Sequence, residues 1–534
     1  MRLSYWLALA CGAAGVAGVG LGAGGCGGGG SNGGAADSGG GPREGGGGDG
    51  GGGGAEDGAV TDAAGRADGG APDAASDASQ DASGPPPPPA AWLTTDDLAK
   101  TLAEIPVTLG DTGAADATIT LDAATKYQSI VGFGASITDS SSYVMTKYLS
   151  ASARADLEKK LFDPAAGAGL SFLRQPMGAS DFSSVGDFSY DDGASDPGLA
   201  TFSIAQDMKA TIPVLKEVLA VAPDVFILGT PWSPPGWMKN NDSMDGTGSA
   251  GNNSGLATAA YEPLGQYFAK FVQAYAAQGV PVRALTPQNE PLNGTATYPG
   301  MDLDAPSELT LIAQHMGPAL KAAGLSTQIW AYDHNWDVES YPAQILGDAT
   351  AASFTEGAAF HCYGGDPSAM TTFHQAFPQK SVYMTECSGG DWQDDPFANT
   401  IELAISSTAN WARAVVLWNM VLDENNGPKN HGCATCRGVA TVNSGSGAVT
   451  YNADYWALAH FAKWVRPGAV RVSSTANGGS VTQVAFANGD GRLVVVAHNR
   501  GGAAAKVRVG SGATALNVQV PANAAVTITW TPGS

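Results

Sequence analysis

From about residue 115 onward, short apolar runs alternate with longer stretches of helical period. Ala117-Thr118-Ile119-Thr120-Leu121 alternates apolar and polar positions, the pattern of a strand with one buried face. Eight runs follow that are apolar on both faces: Ile130–Phe133, Leu170–Leu173, Val225–Leu228, Val282–Leu285, Ile329–Tyr332, Ala358–Phe360, Val382–Met384 and Ala414–Trp418. Helical periodicity lies between them, as in Ser203–Val221, Tyr261–Gln278 and Ser307–Ala323. Buried strands alternating with helices predict a parallel sheet. Eight such units fit a (β/α)8 barrel over residues 129–466. A doubly wound sheet is the alternative, but no Gly-rich phosphate loop follows the first run.

Past Arg466-Pro467-Gly468 the runs become short and alternating: Val481–Phe486, Leu493–His498, Val507–Val509, Val518–Val520 and Val526–Trp530. Asn477-Gly478 and Asn488-Gly489 are turn pairs, so 467–534 reads as a small antiparallel β-sandwich. The strand within 113–128 is expected to join it and bring the two ends of the fold together. The fold class is therefore α/β, a TIM barrel with an all-β side domain.

The first 112 residues differ in kind. Arg2 precedes an apolar stretch, Tyr5–Leu21, and Ala23-Gly24-Gly25-Cys26 ends it, as in a signal peptide over residues 1–26. Cys26 resembles a bacterial lipobox cysteine whose thiol takes a lipid, although Leu21 lies two positions before the usual slot. An ordinary signal peptide with an incidental cysteine is the alternative. Either way the chain is expected to be exported, as a cell-surface or outer-membrane lipoprotein or as a secreted protein. Residues 27–112 read as a disordered Gly/Ala/Asp/Pro-rich linker, with Pro85–Pro89 a stiff spacer. The segment Gly27–Ala91 holds ten acidic and two basic residues of a chain whose net charge is −23. The rest remains acidic, which excludes nucleic acid and anionic membrane surfaces as partners and suits a neutral substrate. Any membrane contact is left to the N-terminal lipid.

Catalytic groups of such barrels lie where strands end. The fourth run ends in Thr286-Pro287-Gln288-Asn289-Glu290-Pro291 and the seventh in Thr385-Glu386-Cys387-Ser388. Glycosidic cleavage needs two carboxyl groups flanking the bond, one neutral acid and one anion. We assign Glu290 as acid/base, because the Asn289 amide can bond a sugar 2-hydroxyl, and Glu386 as nucleophile. Two salt-bridged structural glutamates are the bland reading of the same residues. Retention predicts carboxyl groups about 5–5.5 Å apart, with the Glu290 pKa raised by the charge on Glu386. Trp232, Tyr363 and Trp418 fall at strand ends and offer ring faces to sugar C–H groups; Trp237 reads equally as core. Asp139 closes the first strand and can bond sugar hydroxyls. Arg174, on the second strand, is placed to hold one glutamate ionised. Cys433-x-x-Cys436 has no second pair, so it reads as a loop disulfide rather than a zinc site. Cys362 and Cys387 follow His361 and Glu386 on adjacent strands, so both thiols should point away from the site and meet. No metal cluster is apparent.

Taken together, the ordered motifs resemble glycoside hydrolase family 30, the group that includes glucosylceramidases and β-1,6-glucanases. They are Gly132–Asp139, Arg174–Ser183, Pro231–Lys239, Thr286–Pro291, His361–Gly364, Thr385–Ser388 and Trp418-Asn419. The resemblance runs from about residue 115 to the C-terminus; the Gly/Pro-rich tract has no counterpart in it. It implies a barrel fused to a β-sandwich, retention of configuration and no cofactor. It also implies the same roles for Glu290 and Glu386, with sugar contacts from Asp139, Trp232, Asn289, Tyr363 and Trp418. Within the family the expected substrate is a β-linked glucoside, glucan or glycolipid. A glucosylceramidase- or β-glucosidase-like activity stands first, with endo-β-1,6-glucanase or β-xylosidase as alternatives. A non-catalytic carbohydrate-binding surface protein is the rival of another class.

Overall fold

The computed structural model describes residues 87–110, 113–248 and 254–533 of the chain. The expected signal peptide, Cys26 and most of the linker lie outside the described residues.

All eight expected barrel strands form, and they pair in parallel and in chain order. Strands one to four are Gly132–Ser136, Phe172–Pro176, Phe226–Thr230 and Ala284–Leu285. Strands five to eight are Gln328–Asn335, Thr355–His361, Ser381–Glu386 and Ala412–Leu417. Strand eight closes on strand one through Val415 opposite Phe133. Their inward residues Phe172, Leu228, Trp330, Ala359, Tyr383 and Val416 fill the barrel. Trp330 and Tyr383 stack with ring centroids 3.4 Å apart. Gly134 is required where strands one and two meet, because a Cβ there would lie 1.8 Å from the Phe172 carbonyl oxygen.

Two helices depart from expectation, both at prolines. The helix expected from Ser203 begins at Thr211, after a short turn at Asp207–Lys209. Pro213 then lies in the first turn, where its missing N–H has no intrahelical acceptor to lose. The helix expected over Ser307–Ala323 is divided into Ala305–Thr310, a π-helical turn Leu311–Met316, and Gly317–Ala322. Pro318 cannot donate to the carbonyl one turn back, and the wide turn before it absorbs that break.

The side domain is a ten-stranded sheet folded around Ile119, Val495, Val507, Leu516 and Ile528. As expected, the early strand joins it: Ala117–Ser129 pairs with Val470–Asn477 on one side and Ala505–Ser511 on the other. The expected linker, by contrast, ends too late at residue 112. Ala90–Thr95 is a strand paired along the final strand, Ala90 opposite Thr529 and Thr95 opposite Ala524. Ala103–Ile105 and Thr108–Leu109 are also strands of this sheet. The physical reason is burial: Ala91, Leu93 and Thr94 are covered, and Trp92 stacks on Trp464 at 4.4 Å. After strand eight a small sheet, Val421–Asp423, Ala440–Val442 and Val449–Tyr451, carries the Cys433–Cys436 loop. Among the described residues no helix is long and apolar enough to cross a membrane.

Barrel and sandwich are joined through helix Ala453–Ala462. His460 is fully buried, with Nδ1 2.8 Å from Thr527 Oγ1 and Nε2 2.9 Å from Thr94 Oγ1. Burial pushes its pKa down from 6.5 to about 3, so it is neutral in the fold. Unfolding restores the ordinary value, so the unfolded chain takes up the proton first and stability is lost as pH falls from 6.5 toward 3. The melting temperature of His460→Gln is expected to fall less steeply than that of the unsubstituted protein over this interval, as scanning calorimetry would show. Parallel curves would remove His460 from the acid transition.

Candidate active site

Strands two, four, five, six and seven send Arg174, Glu290, Asp333, His361 and Glu386 to the same end of the barrel. Arg174 is fully buried and holds the group together. Its Nη1 donates to Glu386 Oε2 at 2.5 Å, and its Nη2 to Asn289 Oδ1 and Asp333 Oδ2, both at 2.7 Å. His361 places Nδ1 3.2 Å from Glu290 Oε1 and Nε2 3.1 Å from Asp333 Oδ1. Tyr363 donates its hydroxyl to Glu386 Oε1 at 2.9 Å, and Asn293 Nδ2 donates to Glu290 Oε2 at 2.8 Å. One carboxylate oxygen each of Glu290 and Glu386 lie within 4.8 Å of one another and of a His361 nitrogen.

Two irregularities in the barrel make this convergence possible. Strands five and six pair Tyr332 with Ala359 and then His334 with Phe360, so Asp333 is an extra residue. Strands six and seven pair Phe360 with Met384 and then His361 with Glu386, which leaves Thr385 over. Such bulges re-aim side chains, and the two extra residues meet: Thr385 Oγ1 donates to Asp333 Oδ1 at 2.6 Å. The bulge demands unusual backbone, with φ of 81° at Tyr332 and 69° at Asp333. Glu290 itself has φ 43°, and its N–H donates to the Asp333 carbonyl at 3.0 Å. Strain of this kind persists only when neighbours fix it. Buried Glu308 does so by accepting the Tyr332 N–H at 2.8 Å, and burial pushes that carboxyl up to about 8.

Protons are distributed otherwise than the sequence suggests. Burial alone lowers the His361 pKa, but the charges of Glu386 and Asp333 outweigh it and raise the imidazole to about 9. Burial alone raises Glu290, but the His361 hydrogen bond and the charges of His334 and His361 bring it down to about 2. The expected upward shift of Glu290 is thus reversed, because His361 stands between the two glutamates. Burial lifts Glu386 above the ordinary carboxylate range, opposed by the charges of His361 and Arg174. Asp333 is held far below that range: burial is overcome by Arg174 and His361.

Glu290, His361 and Glu386 present one ligand atom each within reach of a shared cation. Their chemistry does not favour one, since His361 faces carboxylates through both nitrogens and a charged imidazole has no lone pair to give. The three form an ion-pair network instead.

Other expected residues are placed unequally. Asn289 and Tyr363 belong to the site. Trp232 and Trp418 are almost wholly covered, stacked on each other at 4.8 Å beneath the Arg174 guanidinium. They form a wall rather than open platforms. Trp237 donates its indole N–H to the Asp191 carbonyl and packs against the core. Asp139 starts helix Asp139–Tyr148 and accepts from Ser184 N at 2.7 Å and Ser184 Oγ at 2.6 Å. It fastens the loop after strand two. Asp181 is the aspartate on which both glutamate charges act. Burial and the charges of Glu386 and Glu290 raise it well above 3.8, Trp418 hydrogen-bonds it, and its Oδ1 has no partner. Asp333 and His361 were legible only as residues at strand ends. Both expected disulfides form, Cys362–Cys387 and Cys433–Cys436.

A closed parallel barrel with two glutamates at the ends of strands four and seven, at this separation, defines a glycoside hydrolase that retains anomeric configuration. The chain belongs to glycosyl hydrolase family 30: residues 130–465 match its TIM-barrel domain and residues 468–528 its beta sandwich domain. It is 39% identical over 388 residues to the endo-1,6-beta-D-glucanase of Neurospora crassa, covering 70% of this chain and 79% of that protein. It is 33% identical over 403 residues to the putative glucosylceramidase 4 of Caenorhabditis elegans, covering 70% and 75% respectively. A solved endo-beta1,6-glucanase superposes with a TM-score of 0.78 at 32% identity, over 83% of this chain and 99% of that one.

Two outcomes follow from the buried charges. Arg174→Ala strands Asp333 and Glu386 without their cation and should cost about 3–5 kcal/mol in denaturant unfolding; a loss near zero would contradict the network. The His361 pKa in the fold, about 9, lies above the unfolded 6.5. Its contribution is therefore complete below pH 6.5 and disappears as pH rises through 9. Alkaline thermal scans should show this decline in the unsubstituted protein and a shallower one in His361→Gln.

Proposed function

We propose that the protein is an exported endo-β-1,6-glucanase in which Glu386 is the nucleophile and Glu290 the acid/base. The observation that carries the substrate is the 39% identity over 388 residues to a β-1,6-glucanase, against 33% over 403 residues to a putative glucosylceramidase. It favours the glucanase alternative over the glucosylceramidase-like reading that the motifs alone put first. Two disulfides support export, since such bonds persist in oxidising compartments. The apolar stretch ending at Cys26 supports a lipid-anchored form.

In the mechanism, Glu386 attacks the anomeric carbon and the C1–O bond breaks. Glu290 gives a proton to the departing oxygen. His361 is placed to supply that proton, with its Nδ1 3.2 Å from Glu290 Oε1. A bound sugar displaces water from Glu290 and strengthens the case for its neutral form, so the proton crosses one hydrogen bond. Arg174 and the Tyr363 hydroxyl face the two oxygens of Glu386 and keep it anionic until attack. Water then cleaves the glycosyl-enzyme with Glu290 as base.

Hydrolysis of β-1,6-glucan and of glucosylceramide by the unsubstituted protein separates the two substrate readings; preference for the lipid would overturn the glucanase. For the roles, Glu290→Ala should lose about 10²–10⁴-fold on glucan yet keep glycosylation of an activated aryl β-glucoside. Azide should then rescue it with a β-azide product, and rescue Glu386→Ala with an α-azide. Exchange of the two products would reverse the assignment.

A further inference from the structure

The loop after strand seven carries an indole that the chemistry above does not use. Trp392 is 55% exposed, on a turn closed by the Gln393 N–H donating to the Gly390 carbonyl at 3.1 Å. Its ring packs over Gly390, where a Cβ would come within 2.1 Å of it, so only glycine permits this placement. The turn is anchored throughout. Arg437 Nη1 donates to the Gly390 carbonyl at 3.0 Å, and its Nη2 bonds Gln393 Oε1. Arg437 is itself fixed by Asp454 at 2.6 Å. Asp391 N–H donates to the Thr435 carbonyl at 3.2 Å, across to the disulfide loop Cys433–Cys436. A large apolar ring held rigidly in water is costly to solvation and gains nothing for the fold.

The turn is continuous with the site. It begins four residues beyond Glu386, and its root is bonded to the root of the neighbouring loop through Cys362–Cys387. That neighbouring loop carries Tyr363, 41% exposed, whose hydroxyl touches both Glu386 and Ser388. Two exposed rings thus follow the nucleophile outward on adjacent loops, whereas Trp232 and Trp418 are almost wholly covered.

We propose that Trp392 is the platform of a further sugar subsite, which stacks the C–H face of a glucosyl unit beyond the two that flank the bond being cleaved. The proposal rests on the β-glucan reading. A preset ring spends little ordering entropy on binding, and exposed Asp391 beside it offers carboxylate oxygens to that unit's hydroxyls. Such a subsite acts only on substrates long enough to reach it.

The test measures kcat/KM on β-1,6-linked glucose oligomers of two to six units for the unsubstituted enzyme, Trp392→Ala and Trp392→Phe. The unsubstituted enzyme should gain rate as the chain lengthens. Trp392→Ala should match it on the shortest oligomer cleaved and fall about tenfold behind on longer ones, with Trp392→Phe recovering most of the loss. Equal loss at every length, or none at any, overturns the platform while leaving the glucanase standing. An unsubstituted enzyme inactive on the whole series overturns the glucan reading, and the subsite with it.

Discussion

One guanidinium with no access to water sets the terms for everything around it. Arg174 cannot shed its charge, so strand two imposes on the barrel a demand for anions, and Glu386 and Asp333 meet it at 2.5 and 2.7 Å. Burying a carboxylate deeply is unfavourable except beside such a cation. Glu386 can therefore be buried close to Glu290, with the Arg174 charge opposing the effect of burial on its carboxyl. The same cation fixes the Asn289 amide, which orients the residue before Glu290.

Geometry then follows from charge. Asp333 reaches Arg174 only because strand five carries an extra residue with φ in the left-handed region, and Thr385 matches it from strand seven. Asp333 in turn holds Nε2 of His361, which leaves Nδ1 facing Glu290. Backbone strain, a buried glutamate at Glu308 and the ion pairs are one arrangement. Loosening any of them moves Glu290 and Glu386. The imidazole of His361 lies one hydrogen bond from Glu290.

Much of this was legible in the chain. Strands buried on both faces appear as continuous apolar runs, so all eight stood out, and the two glutamates were found because chemistry in such barrels lies at strand ends. Asp139 satisfies the same positional rule, but its hold on Ser184 across to the next loop is not encoded in sequence position. Bulges escaped notice because one extra residue leaves the apolar pattern intact. With Asp333 and His361 not placed, the sign of the Glu290 shift came out reversed. The strand Ala90–Thr95 was hidden behind five prolines, since six residues are too few to show a period against a low-complexity background.

That strand has a consequence for how the fold is threaded. Ala90 lies opposite Thr529 on adjacent strands, so the folded unit is entered and left at neighbouring points of one sheet edge-to-edge pair. The polypeptide is in effect a ring with a nick. A short bridge from the last strand back to the first would seal it, and fresh termini opened at the exposed turn Asp490-Gly491 would leave every strand pairing intact. Circular permutation is therefore compatible with this architecture, and the order in which barrel and sandwich are written along the gene is a matter of history rather than of mechanics.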